Sequence, residues 1–124
     1  MTALLDEERL AVLRDLYSAE RRSELFQLFQ EQTTLGLERI AQAAADGEPA
    51  AVAAAAHRLA SCAASFAGAA LHATALRLAH PERELTSATI DELRQQLERL
   101  YPATVAALRE RLVAEEPTTR DEEG

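Results

Sequence analysis

The sequence predicts an all-α protein, and three observations support that prediction. Alanine, leucine, arginine and glutamate dominate the 124 residues, and all four residue types favour helices. β-Branched residues are sparse, and no alternating apolar and polar stretch of useful length is present. Apolar residues instead recur at spacings of three and four along several segments. We therefore expect an antiparallel four-helix bundle with a short additional N-terminal helix.

The first two helices are predicted from apolar spacing and a capping residue. The spacing predicts a first helix over about Asp6–Tyr17 and a longer second helix over about Ala19–Ala45. Ser18 lies between them and is a suitable N-cap for the second helix. The inward stripe of the first helix is predicted to comprise Leu10, Leu13 and Leu16 or Tyr17. That of the second is predicted to comprise Phe26, Phe29, Thr33, Leu37, Ile40 and Ala44.

A tight turn is predicted to join the second helix to a third. Gly47 suits a left-handed C-terminal cap, and Pro49 suits the first position of the next helix. We expect that third helix over about Pro49–Phe66, with a break near Gly68 before a fourth helix over Ala69–Ala79. The buried stripe of the third helix is predicted to comprise Val52, Ala55, Leu59, Cys62 and Phe66.

The last third of the chain is predicted to hold one more helix and a tail. A polar loop over Pro81–Ala88 precedes a capping-box pattern at residues 89–92, which is expected to open the fifth helix. Pro102 is expected to kink or divide that helix. Its stripe is predicted to comprise Leu93, Leu97, Leu100, Thr104, Leu108 and Leu112. We assign residues 1–114 to one helical domain and the acidic, turn-rich residues 115–124 to a disordered tail.

Charge and composition narrow the classes of partner. The formal net charge of −8 disfavours nucleic acid and anionic membrane surfaces, both of which bind basic patches. No apolar segment approaches the ~20 residues that cross a bilayer, and the N-terminus does not resemble a secretion signal. The single Cys62 fits a reducing compartment. We therefore expect a monomeric cytoplasmic protein that binds other proteins.

The sequence contains no pattern typical of a self-contained enzyme. No two histidines lie three or four residues apart, and neither a glycine-rich phosphate loop nor a serine-nucleophile motif is present. We predict no metal and no cofactor. His72 and His80 are assigned surface or helix-end roles, and a reactive thiol at Cys62 is disfavoured because no lysine or second cysteine accompanies it.

The third helix presents a histidine on a face made of small residues. At about 100° per residue, His57 lies roughly 140–160° from Val52 and Leu59, so we expect it to face water. Small residues on that face would let another surface approach the ring: Ala50, Ala53, Ala54, Ala60, Ser61 and Ala64. The pattern alone is equally compatible with an ordinary surface histidine among alanines that favour the helix.

Residues 57–68, HRLASCAASFAG, resemble the signature of histidine-containing phosphotransfer (HPt) domains, broadly His-x-Leu-Lys-Gly-Ser-Ser/Ala-x-x-Phe/Leu-Gly-Ala. The resemblance extends over about residues 4–113. It implies a helical module that relays a phosphoryl group between receiver-domain aspartates, with His57 as phosphoacceptor and Nε2 as the attacking atom. It also implies a receiver domain of a response regulator or hybrid histidine kinase as partner. The residues expected to contact that partner are Ala53, Ala54, Arg58, Ala60, Ser61 and Ala64.

This chain departs from the family pattern near the histidine. The family lysine is replaced by Ala60 and the following glycine by Ser61, and a glutamine frequent near the end of the fourth helix is replaced by Ala79. The candidates for a cation that replaces the lysine are Arg39, Arg58 and Arg77. Two alternatives stay open: an HPt-like docking or inhibitory module that binds a receiver or kinase without transfer, and a generic helical adaptor bundle.

Overall fold

A computed structural model describes residues 2–113, and within that range the chain is helical and contains no β-strand. Five α-helices are followed by one π-helical turn at residues 109–113. The helices are α1 (Glu7–Leu16), α2 (Ala19–Ala45), α3 (Pro49–Ser65), α4 (Ala69–Ala79) and α5 (Ser87–Leu108). The all-helical prediction is confirmed. The predicted tail, residues 115–124, lies outside the described residues.

The four longer helices bury one shared core. α2 packs against α3 and α5, and α4 packs against the same two helices, whereas α1 touches α2 and the π-helical turn. The Phe29 ring is fully buried, with its centroid 5.4 Å from that of Phe66 and 6.3 Å from that of Tyr101. None of the helices in residues 2–113 combines the length and the apolar character that a membrane-spanning segment needs.

The predicted caps of α2 and α3 are confirmed. The Ser18 hydroxyl accepts a hydrogen bond from the Arg21 backbone N–H at 3.1 Å, and so caps the start of α2. Gly47 has a φ of +67°, the left-handed conformation in which a glycine carries no steric penalty. Pro49 occupies the start of α3, where its missing N–H leaves no helical hydrogen bond unmade.

The structure refines three predictions about α1 and α5. α5 begins at Ser87 because the Thr86 hydroxyl, rather than Thr89, caps it by accepting from the Thr89 backbone N–H. Pro102 does not divide α5, because it lies inside a continuous helix that buried residues anchor on both sides of the proline. The expected kink stays a prediction. Of the two candidates for the end of the α1 stripe, Leu16 is 66% exposed, whereas Tyr17 is half-buried and packs against the core.

The turn between α3 and α4 places a left-handed backbone at an alanine. Ala67 has a φ of +68° and is fully buried, and the N–H of Gly68 donates to Ala63 O at 2.8 Å. This is the pattern in which helices commonly end with glycine at the left-handed position. The HPt signature has Gly-Ala at these two positions, so this chain carries them in reverse order.

The double substitution A67G/G68A is expected to raise the free energy of unfolding by about 1 kcal/mol. Glycine at 67 removes the clash of a left-handed Cβ, and a methyl group at 68 would lie 3.4 Å from Thr104 Cγ2, in van der Waals contact. Chemical denaturation of both proteins measures the difference. The single A67G variant also loses a buried methyl group, so its free energy of unfolding should rise less. A double variant less stable than the wild type would contradict backbone strain at Ala67.

An exposed ion pair connects α1 to the end of the described chain. Both Arg111 Nη atoms donate to the Glu7 carboxylate, at 2.7 and 3.0 Å. These hydrogen bonds, together with the positive charge, lower the pKa of Glu7 against a smaller opposing effect of burial. The folded state therefore binds a proton at Glu7 less readily than the unfolded state does.

The Glu7→Gln variant is expected to be less stable than the wild type at pH 7 and equal to it in strong acid. A lowered folded-state pKa stabilises the fold above the ordinary glutamate pKa of about 4.3, and that contribution is lost as the pH falls through the folded value. Urea denaturation of both proteins across pH 2–7 measures this convergence. A stability difference that does not change with pH would contradict the ion pair as its source.

Candidate functional site: an exposed histidine on α3

His57 occupies the middle of α3 and its side chain is exposed, as the helical wheel predicts. α3 packs against both α2 and α4, and its remaining face is open to solvent. Ala54, Arg58, Ser61 and Ala64 are also exposed on this helix. The ring therefore projects from a surface on which its neighbours one turn away are small.

The buried face of α3 differs from the predicted stripe. It comprises Val52, Ala56, Leu59, Ala60 and Ala63. The predicted stripe members Ala55, Cys62 and Phe66 are only half-buried. The face is displaced because α4 packs closely on the side of α3 that carries Ala60.

Ala60 is therefore removed from the predicted contact surface. Its side chain is 1% exposed, and His72 Nδ1–H donates a hydrogen bond to its carbonyl oxygen at 2.9 Å. Ala53, another predicted contact residue, is half-buried. His72 is half-buried too, and its role in joining α4 to α3 replaces the surface or helix-end role expected for it.

A second histidine contacts the first, which sequence reasoning missed. The ring centroids of His57 and His80 lie 5.4 Å apart, with the ring planes at 84°, an edge-to-face arrangement. His80 is the exposed C-cap residue of α4, immediately after Ala79. One sequence signal could have indicated this contact. The family glutamine is missing at Ala79, and the next residue, His80, has a side chain able to reach the face of α3 that carries His57.

Arginines line two cavities, one next to His80 and one between α2 and α3. A cavity of about 530 Å³ next to His80 is lined by Arg77 and Arg83 together with Glu82. A smaller cavity of about 100 Å³ between α2 and α3 is lined by Arg39 and Arg58. Within the described residues, none of these four arginines forms an ion pair. The side chains of all four are exposed.

Neither a metal centre nor a reactive thiol is built into the described part of the chain. Among residues 2–113, no group of three or more His, Cys, Asp and Glu side chains is placed to hold a metal ion. Burial raises the pKa of the Cys62 thiol, and a weak contact with the Thr33 hydroxyl at 4.0 Å only partly opposes that rise. The thiolate form that would react is thus disfavoured.

Comparison with known proteins agrees with the geometry. The family model described as the Hpt domain matches residues 24–102, a range that runs from the second turn of α2 into α5 and contains both His57 and His80. No curated protein and no solved structure matches the chain. The match covers more than half of the 124 residues and includes the signature at 57–68. The chain therefore belongs to the Hpt domain family, whose members serve phosphorelay histidine phosphotransfer in two-component signalling.

Proposed function

We propose that this protein accepts a phosphoryl group at His57 and returns it to the aspartate of a receiver domain. The observation that carries the proposal is the exposure of the His57 ring midway along α3, at the histidine position of the family signature. The exposed small residues Ala54, Ser61 and Ala64 leave room for a second protein to bring its phosphoryl group to that ring. A nucleophile that reacts with a protein-bound group needs such access.

The imidazole acts as a nucleophile through an unprotonated ring nitrogen. Its lone pair attacks the phosphorus of the receiver's aspartyl phosphate, an N–P bond forms, and the P–O bond to the aspartate breaks. The electron pair of that bond leaves with the aspartate carboxylate. The proton on the other ring nitrogen stays, so no protein base is needed, and the reverse step returns the phosphoryl group to an aspartate.

Arg58 and Arg77 are the proposed substitutes for the family lysine. A lysine at position 60 would need to extend its stem from a buried Cβ between α3 and α4, a space that Ala60 fills in this chain. Arg58 is exposed next to His57, and Arg77 lies one helical turn before His80 on α4. A charge-assisted hydrogen bond from either one to the phosphoryl group is worth roughly 1.5–3 kcal/mol at a desolvated contact.

The partner we propose is a receiver domain of a response regulator or of a hybrid histidine kinase. Its aspartate and bound cation supply the transfer chemistry, so this chain need only hold its ring accessibly. The contact surface comprises Ala53, Ala54, Arg58, Ser61 and Ala64. We further propose that α2 to α5 form the antiparallel bundle of the family, that the protein is monomeric, and that it acts in the cytoplasm without nucleic acid.

A docking module that binds a receiver or kinase without transfer is the second candidate. Two observations favour it: the family lysine is replaced by the buried Ala60, and Ser61 adds a hydroxymethyl group to the surface that a receiver would approach. The generic adaptor bundle is no longer supported, because it required the family resemblance to be incidental.

Phosphorylation by a small donor tests transfer without knowledge of the partner. The protein is incubated with a phosphoramidate, alongside an HPt protein of known activity, and acid-labile phosphate is measured by intact mass and located by peptide mapping. Phosphate on His57 that a receiver domain subsequently removes supports the relay. An unlabelled protein beside a labelled control overturns the relay and leaves the docking module.

A further inference from the structure

The contact between His57 and His80 gives a specific role to a residue outside the family signature. We propose that His80 is a positioning residue, whose ring holds the His57 imidazole in the orientation that phosphoryl transfer requires. The inference rests on the proposed function of His57. Its basis is the edge-to-face contact of the two rings, with centroids 5.4 Å apart and planes at 84°.

The backbone of His80 is fixed by the end of α4. Its N–H donates to Leu76 O at 2.8 Å, and Pro81 follows it, so the helix stops at this residue. The two preceding residues, Leu78 and Ala79, are buried at 1% and 9% exposed. The packed end of α4 therefore presents the His80 ring from a rigid base, as a positioning group requires.

The remaining surroundings of His57 place little restraint on its ring. The residues three and four positions before it on α3 are Ala53 and Ala54, and Ser61 lies four positions after it. None of these side chains is long enough to pack across an imidazole. Within residues 2–113, no hydrogen bond or ion pair reaches the His57 ring, and its one aromatic contact there is with the His80 ring.

A ring without such a neighbour samples several rotamers, and only some of them direct a nitrogen towards an approaching phosphorus. An aromatic pair of this geometry shifts a conformational equilibrium by about two- to tenfold. Loss of the His80 ring should therefore slow transfer by a similar factor. Thermal stability should hardly change, because both rings are exposed.

Variants at His80 separate ring packing from other effects. His80→Ala removes the ring, His80→Phe keeps a ring without nitrogen atoms, and Glu84→Ala changes an exposed residue of the following loop as a matched control. The second-order rate of labelling at His57 by phosphoramidate is measured for each full-length protein. We expect an about two- to tenfold slower rate for His80→Ala and wild-type rates for His80→Phe and Glu84→Ala.

Proton NMR of the His57 ring gives a readout that does not depend on transfer. A neighbouring ring at this distance displaces the ring-proton resonances, so they should move in His80→Ala and stay close to wild type in His80→Phe. Unchanged resonances in His80→Ala would overturn the contact itself.

The kinetic outcomes distinguish the inference from the proposed function. Equal labelling rates for the wild type and His80→Ala overturn the positioning role alone. A His80→Phe protein as slow as His80→Ala also overturns it, because the nitrogen atoms rather than the ring would then matter. A wild-type protein that takes no phosphate overturns the proposed function and the positioning role together.

Discussion

Replacing His57 with glutamine is expected to abolish phosphorylation by a small phosphoramidate donor and by a phosphorylated receiver domain. Glutamine is similar in reach, but its amide nitrogen has no lone pair available for attack on phosphorus. Labelling should fall completely, to the background of a protein with no acceptor. Intact mass and acid lability of the incorporated phosphate measure the loss.

The fold should survive the His57→Gln substitution, because the side chain is exposed and accepts no hydrogen bond that the core depends on. His72→Gln is the matched control: it removes a histidine that bonds the Ala60 carbonyl within the helix interface, and it should keep labelling at His57. Phosphate retained on His57→Gln would place the acceptor elsewhere and contradict the relay.

Labelling of the wild type and of His57→Gln, measured beside partner affinity, distinguishes the relay from the docking module. A receiver that binds the His57 surface contacts mainly small residues and the arginines beside them, which the His57→Gln substitution leaves in place. Under the docking alternative the variant should bind its partner and function as the wild type does. Under the relay it should bind as the wild type does, but only the wild type should carry phosphate, whereas under the docking alternative neither protein should. Titration calorimetry with one receiver, paired with the labelling assay, separates the two.

Local signals in the sequence predict most helix ends correctly because capping chemistry acts within a few residues. Ser18 accepts a hydrogen bond from the start of α2, Gly47 takes the left-handed conformation after its end, and Pro49 starts α3 where no N–H is needed. These residues therefore mark the helix ends without reference to the rest of the fold. Thr86 and Thr89 show the limit of such signals. Both threonines suit a cap, and the register of α5 follows the one whose hydroxyl accepts from the other's N–H.

The buried face of α3 could not be predicted from the sequence because alanine indicates helix propensity rather than burial. Ala55 and Ala56 are the same residue one position apart, yet only Ala56 is fully buried. An alanine-rich helix has too little contrast between its faces to place the stripe within 100°. The position of α4 determines which face of α3 is buried, and the side chain of Ala60 is buried as a result.

The two parts of the candidate site, His57 and its contact with His80, also differ in whether the sequence predicts them. His57 was found from its place on one helix and from the signature around it, which are local properties. Its contact with His80 joins residues 23 positions apart and depends on where α4 ends relative to α3. No periodicity within either helix predicts such a crossing. The sequence indicated only that the family glutamine was missing at Ala79.

Phe29→Ala is expected to have the largest effect on stability, lowering the free energy of unfolding by about 3–5 kcal/mol. The Phe29 ring is 0% exposed, and its aromatic neighbours belong to two different parts of the core: Phe66 at the end of α3 and Tyr101 in α5. Truncation removes the packing contacts of the buried ring. It leaves a cavity between α2, α3 and α5 that the Phe66 and Tyr101 side chains can fill only in part.

Leu28→Ala provides the matched control for this loss. Leu28 precedes Phe29 on α2 and is 44% exposed, so its truncation should change stability by less than about 0.5 kcal/mol. Urea denaturation of both variants, with the dependence on denaturant compared as well as the midpoint, measures the difference. Equal losses in the two variants would show that the aromatic cluster does not hold α2 to its neighbours. The rigidity on which the placement of His57 on α3 relies would then need another source.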